Sequence, residues 1–253
     1  MIEGFFSESI IKRAQEKGLV EIEIVDLRKF AVDKYGSVDD RPYGGGAGMV
    51  MRVDVIYNAL LSISNFKFQI SNQIPNPKYK IRNKIVLTSP KGKVFNQEKA
   101  QQYSKLNNLV IIVGHYEGVD ERVREYADEE ISMGDFVTTG GEIAASAIVD
   151  STVRLLPGVL KKEDATQLES FMNASINRLI EAIDKNELLL KLKSKGITKV
   201  KLLEYPQYTR PEEFKGKKVP EILLSGDHQK IEKWRLKKAL EETVKKRPDL
   251  LQD

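Results

Sequence analysis

The chain predicts an α/β fold built on a mainly parallel sheet. Two short apolar runs read as buried strands. Leu109-Val-Ile-Ile-Val113 stops at Gly114, and Ile85-Val-Leu-Thr88 is closed by Ser89-Pro-Lys-Gly92. Between and around them lie segments of helical period. Strands that alternate with helices pair in parallel through crossovers.

Taken in order, Leu19-Val-Glu-Ile-Glu-Ile-Val25 alternates apolar and acidic residues and reads as a strand. Asp54 stands where it can cap a helix carrying Val55, Ile56, Ala59, Leu60 and Ile63 at helical spacing. Asn96 does the same for a helix through Ala100, Tyr103 and Leu106. Gly140-Gly141 precede a helix from Glu142 to Leu155, which Pro157-Gly158 ends. Its core candidates are Ile143, Ala147, Ile148 and Leu155. Asp150 and Arg154, four apart, share one of its faces.

Beyond it, Ile176, Leu179, Ile180 and Ile183, then Leu188, Leu189 and Leu192, repeat helical spacing until Gly196. Tyr205 to Pro211 is a proline-bounded turn region, and Asp227 can cap a last helix holding Ile231, Trp234 and Leu240. We therefore expect an α/β domain over residues 1–160, a connecting segment with its own helices over 161–201, and a small helical domain over 202–253.

Composition narrows the function. The chain has 253 residues, 41% hydrophobic and 31% charged, which suits a globular protein with a substantial core. No apolar run approaches the roughly 20 residues that span a bilayer. The first residues lack a basic stretch followed by an apolar one, so no signal peptide is expected. Cysteine is absent, which excludes disulfides and thiolate chemistry and makes the cytoplasm the expected location. His115 and His228 are the only histidines and lie far apart, so no zinc-type metal site is expected. The net charge is a mild +4, but eight Lys and Arg stand against three Glu from Lys230 to Arg247. That cluster suits nucleic-acid phosphates, although a solvated helix face explains it as simply.

Three glycine-bearing stretches carry the chemistry. They are Arg41-Pro-Tyr-Gly-Gly-Gly-Ala-Gly-Met49, Gly114-His-Tyr-Glu-Gly-Val-Asp-Glu-Arg122 and Met133-Gly-Asp-Phe-Val-Thr-Thr-Gly-Gly-Glu142. Together they suggest a ligand gripped by main-chain groups. The second follows a strand, as Ser89-Pro90 does, and ligands of open α/β sheets bind beyond the carboxyl ends of strands. The common fingerprints fail. There is no Gly-x-x-x-x-Gly-Lys phosphate loop. Met49 and Met51 break the dinucleotide spacing after Gly44, and no Gly-x-Ser-x-Gly elbow occurs.

In combination these stretches closely resemble the bacterial tRNA (guanine-N1)-methyltransferase family, TrmD. The likeness begins at Asp39-Asp-Arg-Pro and continues through Arg154-Leu-Leu-Pro-Gly-Val-Leu160, Tyr208-Thr-Arg-Pro211 and Leu223-Leu-Ser-Gly-Asp-His228. It ends with Trp234-Arg235 and Arg247-Pro-Asp-Leu-Leu251, and covers nearly the whole chain. It implies a trefoil-knotted SPOUT methyltransferase domain and a homodimer. It also implies S-adenosylmethionine as methyl donor, and methylation at N1 of the guanine at tRNA position 37, beside the anticodon. Magnesium is implied for the reaction.

By the same resemblance, Leu87, Thr88, Ser89, Pro90 and Gly114 border the methyl donor, as do Tyr116 and Glu117. Met133, Gly134, Asp135, Phe136, Val137, Thr138, Gly140 and Gly141 form the rest of its wall. Arg154 is the implied catalytic cation, with an Asp150 ion pair as its plainer role. The family's aspartate base aligns with Glu169, and Asp164 is the reserve. Asp39 matches a residue that contacts the guanine pair, or else simply forms a turn. The C-terminal domain would hold the anticodon stem, with Lys230, Lys233, Arg235, Lys237 and Lys238 as candidate phosphate contacts. Trp234 is either a stacking platform or an anchor of the last helix.

Three features depart from the family pattern. A short apolar strand ending in Phe-Pro is missing ahead of Met1-Ile-Glu-Gly. This should expose a sheet edge or leave a gap, and a misannotated start codon is the preferred explanation. Extra residues lie between Phe171 and Leu202, and Glu169 and Glu204 stand where aspartates are usual. A catalytically impaired RNA-binding homologue is the alternative function.

Overall fold

The computed structural model describes residues 2–63, 82–161, 169–183 and 186–252. They belong to two compact units, Met1–Lys161 and Lys162–Asp253.

The first unit contains α1 (Glu3–Phe6), α2 (Ser9–Glu16), β1 (Asp39–Asp40), β2 (Val50–Met51) and α3 (Val53–Ser62). It continues with β3 (Asn83–Val94), α4 (Gln97–Tyr103), β4 (Asn108–Ile112), β5 (Glu129–Ser132) and α5 (Glu142–Val153). A parallel sheet runs in the order β4-β3-β5, so β3 is its centre. Successive side chains of a strand point to opposite faces, and β3 uses both. Ile85 and Leu87 pack with Ile56 and Leu60 of α3 and with Ile112 and Val123. Val86 turns the other way, to Tyr103, Ile131 and Ile148 from α4, β5 and α5. Helices thus cover both faces of the sheet, and the strands read as continuous apolar runs for that reason.

Local details depart from the sequence reading. Asn96 does cap α4, its Oδ1 accepting the Lys99 N–H at 3.0 Å, but α4 ends at Tyr103, short of Leu106. Arg52, not Asp54, holds the N-cap position of α3. Asp54 lies in the first turn, where a bidentate pair with Arg52 (3.1 and 2.6 Å) complements the helix N-terminus. β3 does not stop at Thr88. Thr88 and Lys93 both face Ile131, so residues 89–92 bulge outward before the strand resumes.

Residues 19–26 are not a strand. Their alternation is present, but no ladder partner meets them among the described residues, and Leu19 and Ile24 are left exposed. A strand needs a hydrogen-bonded neighbour as well as a pattern.

In the second unit β6 (Met172–Ser175), α6 (Ile176–Ala182), α7 (Glu187–Ser194) and β7 (Lys199–Leu202) follow in order, with β6 antiparallel to β7. Then come β8 (Glu213–Phe214), β9 (Lys217–Lys218), α8 (Glu221–Leu224) and α9 (His228–Lys246). Asp227 caps α9 through the Lys230 N–H at 3.1 Å. The segment expected as a connection over 161–201 instead folds into this unit. Ile176, Leu179, Leu189, Leu192 and Val200 share one core with Leu236 and Leu240 of α9. Its helical spacing therefore served burial, and the unit is α+β rather than purely helical.

Candidate active site

The bulge of β3 at residues 89–92 meets the loops after β4 and β5, and together they enclose a cleft of about 370 Å³. The loop after β4 makes a tight turn, with the Gly118 N–H donating to His115 O at 2.9 Å. Tyr116 takes φ 58 there, a left-handed conformation rare for a bulky side chain. The loop after β5 is stitched to it. The Gly141 N–H donates to Gly114 O at 2.8 Å, and His115 bridges Gly140 in an antiparallel pair.

This contact explains the Gly-Gly pair. A Cβ on Gly140 would lie 2.7 Å from His115 Cε1. One on Gly141 would lie 3.3 Å from the Gly114 nitrogen and press on the Thr88 hydroxyl, which itself donates to Ile112 O at 3.1 Å. His115 Nε2 also pairs with the Glu142 carboxylate at the start of α5, closing the same seam with side chains.

The end of the first glycine stretch joins the turn as well. The Glu117 N–H donates to Met49 O at 3.1 Å, and Met51 exchanges bonds with Gly118 and Asp120 at 2.9 Å each. All three glycine stretches are thereby drawn together. Asp39 sits behind them, half-buried and paired with Met51 across β1–β2, but it does not line the cleft.

Every residue expected around the methyl donor lines this cleft except Gly134 and Asp135. Gly134 forms a turn instead, exchanging two 3.1 Å bonds with the Ser132 hydroxyl. Sequence reasoning missed His115, Thr139 and one face of α5. Ile143 and Ala147, read as core, line the cleft with Ala144, and Ile143 is 67% exposed. With apolar residues spread over most sides of α5, the sequence gives little sign of which of them are covered.

Also missed was a charged rim. Arg124 reaches Glu121 and Glu130 at 2.6 Å each, and Lys91 stands 3.8 Å from Glu121. The Arg124 hydrogen bond holds the Glu121 carboxyl below its usual range, and the same bond raises the guanidinium.

Arg154 is half-buried just past α5, its N–H donating to Asp150 O at 3.2 Å, and it lies outside the cleft lining. Glu169 belongs to the second unit, where it borders a small cavity with Tyr205 and Arg235. Asp164 lies outside the described residues.

On α9, Lys233 and Lys237 are exposed. Lys230 pairs with Asp227 at 3.1 Å and Lys238 with Glu241 at 2.6 Å. Arg235 is turned inward from the surface expected of a phosphate contact. Its guanidinium lies 5.0 Å from the Tyr205 ring centroid, and its Nε is buried without a hydrogen-bond partner. Trp234 is half-buried beside Tyr208, with ring centroids 6.4 Å apart.

Among the described residues no group of three or more His, Asp or Glu is arranged to hold a metal ion, so the implied magnesium has no evident seat there. No helix among them is long and apolar enough to cross a membrane.

Loops gathered at the carboxyl ends of a parallel sheet, around one cleft walled by main chain, define a ligand-binding α/β enzyme. The particular family follows from comparison with known proteins. The chain belongs to the family described as tRNA (Guanine-1)-methyltransferase TrmD, whose profile matches residues 1–253. It is 46% identical over 252 residues to the tRNA (guanine-N(1)-)-methyltransferase of Dictyoglomus turgidum, covering 100% of this chain and 86% of that protein. The enzyme of the same name from Geobacillus kaustophilus is 45% identical over 254 residues, covering 100% of this chain and 88% of its own length.

Proposed function

We propose that this chain methylates N1 of the guanine at tRNA position 37, with S-adenosylmethionine as methyl donor. It is a tRNA (guanine-N1)-methyltransferase, and family membership across all 253 residues carries that reading. The cleft fits the methyl donor on its own geometry. Its volume of about 370 Å³ falls in the range of small-molecule sites. Its seam joins main chain of Gly114 and Gly141, and a side chain at Gly140 or Gly141 would intrude on it. When bound, S-adenosylmethionine supplies a methyl group already activated by its sulfonium.

The chain's own residues must then prepare the acceptor. Guanine N1 carries a hydrogen and becomes nucleophilic only as that proton leaves. The Glu169 carboxylate takes the proton, and the Arg154 guanidinium stabilises negative charge moving onto O6. Glutamate is one methylene longer than aspartate, which moves the carboxylate by about 1.5 Å, and a shift of that size matters for a positioned group. Lysines of α9 hold phosphates of the anticodon stem.

The α/β unit adopts the trefoil-knotted SPOUT arrangement and works as a homodimer. Phe136, Val137 and Ile143 support the dimer, being 59%, 84% and 67% exposed around the cleft, an apolar group suited to cover by a second copy. A tRNA substrate and a cysteine-free chain favour the cytoplasm.

The test is transfer of labelled methyl to tRNA transcripts with guanine or adenine at position 37. Transfer to guanine alone is expected. Methyl-donor and tRNA binding without transfer to either would make the chain an impaired homologue that only binds RNA, and would overturn the catalytic assignment.

A further inference from the structure

The second unit carries an arm that its core does not use. All residues from 207 to 218 are exposed, whereas the flanking segments contribute Leu202 and Leu236 to the core. The arm is nonetheless ordered by its own bonds. β8 and β9 pair Glu213 with Lys218 and Phe214 with Lys217. Lys215 and Gly216, at φ 50 and 75, form the two-residue turn whose twist suits a hairpin. The Val219 N–H closes its base on Glu212 O at 2.8 Å, and Lys218 lies 3.5 Å from Glu213. A lone two-stranded hairpin is marginal in water, so this one gains little from its own unit.

Its surface chemistry is specific. Phe214 is 62% exposed, with the Lys215 ammonium 5.5 Å from its ring centroid and Lys217 directly across the ladder. Arg210, Lys215, Lys217 and Lys218 outnumber Glu212 and Glu213. At the root Tyr208, 49% exposed, meets Trp234 of α9, and Lys237 follows Trp234 on the same helix face. The aromatic and basic character therefore continues from the arm onto the helix. A flat apolar ring set among ammonium groups matches a polymer that alternates stackable faces with negative charges. Single-stranded RNA is such a polymer. An acidic protein surface would use the lysines and leave the ring without a partner.

We propose that the hairpin Glu213–Lys218 is an RNA-contacting arm. The Phe214 ring stacks on an unpaired base, and Lys215, Lys217 and Lys218 neutralise the neighbouring phosphates. This rests on the reading of tRNA as substrate, and it adds a contact surface apart from the methyl-donor cleft.

Anisotropy titration of the full chain with labelled tRNA tests it without needing catalysis. Phe214→Ala should weaken tRNA binding about tenfold, and Phe214→Tyr should restore it. Lys217→Ala with Lys218→Ala should lower the slope of log affinity against log salt by about 1.4, close to 0.7 for each phosphate released. Methyl-donor affinity by calorimetry should stay unchanged in every variant, and unchanged Trp234 fluorescence shows that the second unit of each one folds. Unchanged tRNA affinity and salt slope would overturn the arm and leave the methyltransferase reading standing. Altered sedimentation with unchanged tRNA affinity would make the hairpin a contact between copies and overturn it equally. Arm-dependent tRNA binding in a chain that transfers no methyl would sustain the arm and sink the catalytic reading instead.

Discussion

The two units present their candidate ligand surfaces in opposite ways. In the first, main chain does the gripping: Gly141 bonds Gly114, Gly140 packs on His115, and the space left by absent side chains is the site. In the second, long side chains project from α9 and the β8–β9 hairpin, and the pairs several of them make, such as Lys230 with Asp227 and Lys218 with Glu213, are exposed. A closely packed seam leaves little tolerance, because one added carbon at Gly140 or Gly141 meets His115, Glu142 or Thr88 side-chain atoms that are themselves bonded in place. A surface of lysines spreads its effect over many weak contacts, each screened by salt. Substitutions should thus act sharply in the first unit and gradually in the second.

Glu169→Gln challenges that division most directly, because it is a single-residue, all-or-none effect placed in the second unit. Loss of the proposed base should slow the chemical step by about 10²–10⁴-fold. Methyl-donor binding should persist, since Glu169 is not among the residues of the cleft. Single-turnover transfer measured beside calorimetric binding separates the two. Undiminished transfer would move the base elsewhere and restore a purely gradual second unit.

Gly92→Ala comes next. A Cβ there would stand 2.5 Å from the Ile131 nitrogen and as near to the Glu130 carbonyl oxygen, wedging β3 from β5. Crowding of that kind costs about 3 kcal/mol, and thermal unfolding should fall by roughly 6–12 °C. Gly216→Ala, in the second unit, has open space around it and meets only the strain of φ 75. It should cost about 1 kcal/mol. Equal losses in the two variants would erase the contrast between a packed seam and a free hairpin.

Much of the first unit was legible because its sequence signals and its physics coincide. The runs ending at Thr88 and Val113 are strands because both faces of the sheet are covered, and the glycine pair at 140–141 marks a place where loops touch. What escaped reading depended on partners remote in sequence. Residues 19–26 carry a strand pattern without a neighbour to bond. Ile143 looks like core until the fold shows that α5 has a second apolar face on the cleft. The rim of Arg124, Glu121 and Glu130 needs β5 beside the 3-10 turn Glu121–Tyr126 before its charges meet. In the second unit, the apolar residues from Ile176 to Leu192 announced helices, but not that α9 would pack on them to make one core.

Acid separates the units by a smaller margin. Glu129 of β5 is mostly buried, and burial alone would raise its carboxyl. Hydrogen bonds from Lys99 (2.5 Å), Lys84 (2.9 Å) and Tyr103 (2.7 Å) outweigh that and bring it to about 2. In the unfolded chain the same group titrates near 4.5. Its stabilisation, on the order of 3 kcal/mol, is therefore complete above pH 4.5 and disappears as pH falls from there toward 2. The second unit's pairs, Arg178–Glu232 and Lys230–Asp227 among them, are exposed and add little at any pH.

Trp234, the chain's single tryptophan, reports the second unit by fluorescence, while methyl-donor binding reports the first. Between pH 4.5 and 2 the first signal should outlast the second. Glu129→Gln should lower the stability of the first unit at neutral pH and flatten its acid transition. Coincident loss of both signals in wild type and variant would show that the two units unfold as one, so that the buried cluster protects the whole chain and not the first unit alone.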